Sequence, residues 1–246
     1  MKTFIKLLKK KKYEYNVKGG IIHVIHNGNI NLSDLISITV DVTFENNGYV
    51  LLNNLDSITA NVVFKNNGCV YLDNLRVIKT NVGFENNGSV FIDNLRLIAV
   101  DFKFNNKGSV SLSNLRLITT YVVFENGNNV YLNNLRSITN DVVFNNNGYI
   151  LLNNLDSLNY FGKKYKVKSI DSYAMLLLGG SKHINDISIQ RARFLKGSGV
   201  NNCPPSYIAS KNNFYAHGKT FKQAIKDLYF KIPSKDLDVD NAVKDI

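Results

Sequence analysis

The chain has 246 residues, 30 Lys and Arg against 19 Asp and Glu, a formal net charge of +11, two Cys and no Trp. That length is enough for a buried core in one or two domains, and a hydrophobic content of 44% excludes a disordered chain. Two Cys build no disulfide framework, which points to a reducing compartment, and no apolar run reaches the 18 or so residues of a membrane-spanning helix.

Residues 1–21 form a basic N-terminal segment or cap, with seven Lys against one Glu (+6), including Lys9, Lys10, Lys11 and Lys12. Its apolar pairs Phe4-Ile5 and Leu7-Leu8 are too short for a signal-peptide core, so a cytoplasmic protein is expected. Residues 22–161 hold eight basic and eleven acidic groups (−3), and residues 162–246 hold fifteen and seven (+8). Two basic ends therefore flank a nearly neutral body.

That body is a repeat. Phe recurs at 44, 64, 84, 104, 124 and 144, and seven units of twenty residues run from 22 to 161 without insertion or deletion. Six columns are apolar, for example Val62, Phe64, Val70, Leu72, Leu75 and Ile78 with their counterparts twenty residues away. The V-x-F and V-x-L pairs alternate with period two and are rich in β-branched residues, the pattern of strands. Asn-Asn-Gly turns separate them, and Gly48, Gly68, Gly88, Gly108 and Gly148 are expected to supply positive φ, with Asn128 tolerating it in the sixth copy. One unit cannot bury its own apolar set, whereas stacked copies at about 4.8 Å bury all of them. The expected fold is mainly β, a seven-coil β-solenoid or leucine-rich-repeat-like solenoid, with a small α+β cap at its C-terminal end.

Four other columns stand out. The Asn columns at 46–146 and 54–154 are expected to form hydrogen-bonded ladders that serve the fold. Arg76, Arg96, Arg116 and Arg136 line up between Asp56 and Asp156, as a solvated corner or a grip for carboxylates or phosphates. Tyr71, Phe91 and Tyr131 alternate with the core and make an outward aromatic stripe, either a partner surface or a face covered by one of the termini.

The repeat stops at Lys163. Tyr173 to Leu178 reads as a strand broken by Gly179-Gly180, Ile187 to Phe194 as a second strand, and Tyr207 to Ser210 with Phe214 to Ala216 as a hairpin around Asn212-Asn213. Thr220 and Gln223 form a capping box before an amphipathic helix with Phe221, Ala224, Ile225, Leu228 and Tyr229 on one face. Residues 162–232 are thus a small capping module, and 233–246 a charged, flexible tail. Gly218-Lys219-Thr220 lacks the earlier glycine of a nucleotide loop and reads as a strand-to-helix turn. The four His and two Cys have no metal-ligand spacing, so neither metal nor cofactor is expected.

The F-x-N-N-G-x-V-x-L-x-N-L repeat, followed by Tyr215-Ala216-His217-Gly218-Lys219-Thr220 and Ala224 to Lys231, resembles leucine-rich-repeat-like proteins of bacteriophages and prophages over about residues 22–232. The resemblance implies a small cytoplasmic phage product acting in a bacterial host cell. It carries over no catalytic residue.

With no catalytic constellation in view, the expected function is that of a non-enzymatic binding protein. Its partner is a bacterial protein, with an immune effector among the candidates, held on Tyr71, Phe91 and Tyr131 or the Arg column. The alternative is nucleic-acid binding by the basic ends. Lys9 to Lys12, Lys163, Lys164, Lys166, Lys168, Arg191 and Arg193 would contact phosphates, with Tyr13, Tyr15, Tyr160 and Tyr165 among them. A polysaccharide enzyme is disfavoured because the acids at 45, 85 and 125 skip coils. Self-association through an open first coil is a further expectation.

Overall fold

The computed structural model describes residues 1–139, 141–160, 163–171, 173–195 and 204–233. Each twenty-residue unit makes one coil with three short strands. The long side carries V-x-F-x-N, as in Val62–Asn66, the second side the next V-x pair, as in Val70–Tyr71, and the third side a pair such as Val77–Ile78. Neighbouring coils pair in parallel and in register, with Val62 opposite Val42 and Phe64 opposite Phe44. Six coils are complete. The seventh has its long and second sides, but its third, Ser157–Tyr160, joins another sheet. No helix interrupts the described residues of the coils, so the repeat is a β-solenoid of strand and turn.

In-register pairing stacks every column on itself. The six repeat Phe residues are fully buried, their ring centroids 5.0 to 5.2 Å apart and their planes within 8° of parallel. Burying each such side chain contributes about 1.5–3 kcal/mol, and each stacked pair about 0.5–1.5 kcal/mol more.

The turns differ from expectation in one respect. Among the described residues, the glycines with positive φ are Gly19, Gly20, Gly28 and Gly179; those of the repeat turns from Gly48 onward are not among them, and nor is Asn128. Glycine stands there because the coils touch. A Cβ on Gly68 would lie 2.6 Å from the Gly48 carbonyl carbon and the Tyr49 nitrogen. The Asn column beside it is buried and closes each turn. Asn66 Nδ2 donates to the Gly68 carbonyl at 2.6 Å, and Asn106 Nδ2 to that of Gly108 at 2.9 Å. The amide-to-amide ladder forms on the exposed neighbouring column, where Asn47 donates to Asn27 at 2.7 Å and Asn67 to Asn47 at 2.9 Å. In the 54–154 column Asn74 and Asn94 donate to the backbone carbonyls of Asn53 and Asp73 at 2.6 and 2.5 Å, and amide-to-amide bonds also form there, from Asn94 to Asn74 at 3.4 Å and from Asn154 to Asn134 at 3.2 Å.

The first coil is not an open edge. Helix α1 (Lys2–Lys10) lies over its end with Phe4 and Leu8 buried, and the Phe4 ring is 6.5 Å from that of Phe44. Strand β1 (Glu14–Lys18) then pairs antiparallel with the first long side, Ile21–His26, through a turn in which Gly19 and Gly20 have φ of 59° and 83°. The lysines of α1 fall on the face away from Phe4 and Leu8, which is why so basic a segment can cap an apolar column.

The other end is closed by an antiparallel meander of six strands in chain order. They are β2 (Ser157–Tyr160), β3 (Lys163–Ile170), β4 (Tyr173–Ile184), β5 (Ile187–Phe194), β6 (Pro205–Lys211) and β7 (Phe214–Gly218), followed by helix α2 (Phe221–Lys231). β4 does not end at Gly179-Gly180 but runs through them, with the register shifting between Leu178 and Lys182 and Gly179 at φ 66°. Paired glycines inside a strand here make a bulge rather than a break. The hairpin at Asn212-Asn213, φ 49° and 68°, is as expected. The Thr220 hydroxyl accepts from the Gln223 backbone at 3.2 Å, while the Gln223 side chain turns to Asp227 instead of completing the box. Ala224, Ile225, Leu228 and Tyr229 pack against Ile187, Ile189, Ala209 and Ala216.

Candidate binding surfaces

The Arg column sits on the third side. Arg76 is held by Asp56, with Nε to Oδ1 at 2.5 Å. Arg96, Arg116 and Arg136 are exposed and have no acidic partner among the described residues. They form a continuous row, because the Arg116 amide donates to the Arg96 carbonyl and the Arg136 amide to that of Arg116, both at 2.9 Å. Arg76 belongs to a separate three-stranded piece of this side, which ends at Val77–Ile78. Next to the arginines run Val77 and Leu97, 39% and 42% exposed, and half-buried Leu117. Strand alternation places them outward between the buried Ile and Leu columns. Sequence reasoning passed over them, although Ser37, Ser57, Ser137 and Ser157 occupy the same column in other coils and mark the change.

The aromatic stripe lies on the second side and is half-buried rather than fully exposed. Tyr71 and Phe91 stack with centroids 5.1 Å apart, and Tyr49 meets Tyr71 edge-on at 6.4 Å. The stripe then breaks, since Ser111 occupies the next coil, buried, with its hydroxyl 2.5 Å from Asp93 Oδ1. Tyr131, beyond the break, accepts from Asn129 Nδ2 at 3.1 Å. Burial pushes the Tyr71 phenol above its ordinary value, and burial together with Asp93 does the same to the Asp73 carboxyl.

The basic residues are not brought together. Lys9 to Lys12 lie at the first coil, and Lys11 is paired with Asp34 at 2.7 Å. At the other end, register puts Lys164, Lys166 and Lys168 on the face of the sheet shared with Met175, Leu177 and Ala192, whereas Lys163, Arg191 and Arg193 share the opposite face with Leu176 and Leu178. Lys168 Nζ sits 4.0 Å from the centre of the Tyr215 ring. Among the tyrosines, Tyr165 is buried and Tyr13 accepts from the Asn31 amide at 2.7 Å. The side chain of Tyr160 lies outside the described residues, as do Cys203 and positions 234–246 of the expected tail.

The seam between the last coil and the meander holds a cluster that the sequence did not single out. His217, on β7, lies edge-on to Tyr173 and Phe194 at 5.4 and 5.2 Å, and Tyr149 of the last coil meets Tyr173 at 5.0 Å. Asp171 Oδ2 is 3.5 Å from His217 Nε2, and Lys231 Nζ binds the other carboxylate oxygen. Burial pushes the His217 imidazole below its ordinary value, against the pull of Asp171.

Among the described residues no three His, Cys, Asp or Glu converge on a point that would hold a metal, and no helix is long and apolar enough to cross a membrane. The fold and these surfaces define a β-solenoid repeat protein closed at both ends. In comparisons with protein-family models, curated proteins and solved structures, nothing matches the chain.

Proposed function

We propose that this is a non-enzymatic binding protein that holds an acidic protein partner on its third side. One observation carries the reading. Arg96, Arg116 and Arg136 lack acidic partners among the described residues and run beside the outward apolar residues Leu97 and Leu117, with Val77 continuing that column. Arginine beside apolar anchors is the composition of binding hot spots, and a charge row without counter-charges favours a partner of opposite sign. The likeness of the repeat and its A-H-G-K-T segment to phage and prophage proteins supports a phage product acting in the bacterial cytoplasm, with a host protein, immune effectors included, as the partner.

The test is capture from a bacterial lysate, run with and without nuclease, by three forms of the protein. These are the wild type, Arg96→Glu/Arg116→Glu/Arg136→Glu, and Tyr71→Ser/Phe91→Ser/Tyr131→Ser. A protein identified by mass spectrometry, kept by the aromatic variant and lost by the charge reversal, bears the proposal out. Equal capture by wild type and charge reversal refutes it. Capture abolished by nuclease moves the function to nucleic acid at the basic ends.

A further inference from the structure

The seam contains a cavity of about 290 Å³ between the last coil and the meander. Its walls include Ile150, Tyr149, Tyr173, Phe194 and His217, and the exposed Lys219 stands beside it. That volume lies near the lower end of the roughly 300–1,000 Å³ of small-molecule sites, room for one flat ring system. Tyr173 is edge-on to both Tyr149 and Phe194, at 5.0 and 5.4 Å and 78° in each case. Rings fixed at right angles offer one face and one edge to a planar guest, the geometry that aromatic pairs favour.

The charges narrow the guest further. Among the described residues no carboxylate lines the cavity, and its single fully charged wall residue is Lys219. Asp171 is occupied behind His217 by Lys231. Because Nε2 of His217 faces that carboxylate, the proton of the neutral imidazole belongs on Nε2 and Nδ1 is left as an acceptor. The described walls therefore supply aromatic faces, the Nδ1 acceptor of His217, the hydroxyls of Tyr149 and Tyr173, and one cation. A cationic guest finds no counter-charge here, and a purely apolar one leaves Lys219 unused.

We propose that this cavity is a binding site for a small planar aromatic anion, a single flat ring system bearing one phosphate or carboxylate, with the ring among Tyr149, Tyr173, Phe194 and His217 and the anionic group on Lys219. The inference is independent of the third-side surface. The residues that build it come from four separate places in the chain, which explains why no motif announces it.

Calorimetric titration of the full chain tests it with four probes, adenosine 5′-monophosphate, N-acetyltryptophan, adenosine and inorganic phosphate. At least one ring-bearing anion should bind with a dissociation constant of about 1 mM or tighter, and adenosine and phosphate at least about tenfold more weakly. Binding of the nucleotide alone assigns a nucleotide-type ligand, and binding of N-acetyltryptophan alone an aryl carboxylate. Lys219→Glu should weaken the anion about tenfold without changing the melting curve, and Phe194→Ala should remove binding. Should Phe194→Ala fail to fold, the Lys219 variant and the comparison of ring with and without its anion still decide. The proposal is overturned if neither ring-bearing anion binds, if adenosine binds as well as its monophosphate, or if Lys219→Glu binds as wild type does.

Discussion

Gly108 distinguishes two reasons for a glycine in the repeat turn. If the turn required a left-handed backbone, Gly108→Asn would cost less than Gly108→Ala, because Asn tolerates that region best. The structure gives the other reason. A Cβ at Gly108 would lie 2.5 Å from the Gly88 carbonyl carbon and 2.6 Å from the Gly88 oxygen and the Ser89 nitrogen. Reaching an ordinary contact of about 3.5 Å requires the two coils to part by close to an ångström. The bonds beside it, Lys107 amide to Asn86 carbonyl at 3.0 Å and Val90 amide to Ser109 carbonyl at 2.9 Å, would be stretched or lost. At about 0.5–1.5 kcal/mol for each bond, with overpacking at about 1–3 kcal/mol, either substitution should destabilise by roughly 2–6 kcal/mol. The sixth coil shows how the chain avoids this cost. There Asn128 takes the glycine position, and Gly127, one residue earlier, makes the close approach, where a Cβ would meet the Lys107 oxygen at 2.5 Å. Lys107→Gly/Gly108→Asn copies that order and should recover most of the loss. Urea unfolding followed by circular dichroism and tyrosine fluorescence measures all three variants. A Gly108→Asn protein within about 0.5 kcal/mol of wild type and more stable than Gly108→Ala would refute the steric account.

Two further expectations concern the ends. Leu8→Asp puts a charge where α1 seals the first coil, and should expose that coil and produce concentration-dependent self-association, read by light scattering after size exclusion; a monomer at every concentration would show that α1 is not what blocks stacking. Because burial lowers the His217 pKa in the folded state, that state binds fewer protons than the unfolded chain near its ordinary value of about 6.5. This contribution is present above that value and declines as pH falls below it, so the melting temperature should drop between pH 7.5 and 5.5, and His217→Gln should flatten the drop. The carboxylates lowered by lysine partners, Asp34 by Lys11 and Asp186 by Lys211, lose their contribution only as pH falls below about 3.9, outside that window, so an unchanged slope in His217→Gln counts against the assignment.

The solenoid was readable because a twenty-residue period turns one local pattern into seven copies of the same evidence. Column by column, Phe44 to Phe144 declare burial, and α2 declares itself through Thr220 and its apolar face. What escaped has physical reasons. Residues 1–21 are legible as a basic segment or cap, but not the helix in them, because α1 is nine residues with Phe4 and Leu8 as its buried anchors among lysines, too little apolar content to stand out, and its partner is the end of a column rather than a neighbouring segment. Gly179-Gly180 looks like a break because a bulge and a chain reversal use the same residues. The glycine φ was misjudged because contact between successive coils is a tertiary demand, and Asn-Asn-Gly is also a turn signal. The aromatic seam joins residues 149, 173, 194 and 217, which only the folding of the meander onto the last coil brings together.

The interior and the exterior of a stacked coil obey different constraints, and this bears on the proposed contact face. Inward columns must repeat, since any change in size leaves a void or a clash against both neighbours. Outward columns carry no such demand, so a drift in them would be expected to scatter. On the third side it does not scatter. Asp56-Ser57 and Asp156-Ser157 bound a block of four coils in which Arg replaces Asp throughout, and Val or Leu replaces Ser in three of the four. Exposed apolar residues contribute nothing to the core, and Arg96, Arg116 and Arg136, which have no acidic partner among the described residues, repel one another, so stability does not account for the block. A surface that is wet and solvated would favour the serine and aspartate of the flanking coils. The block spans about 14 Å along the axis from the first Arg to the last at the inter-strand spacing, and the contact face proposed above would have those limits, set by the contrast with its own neighbours.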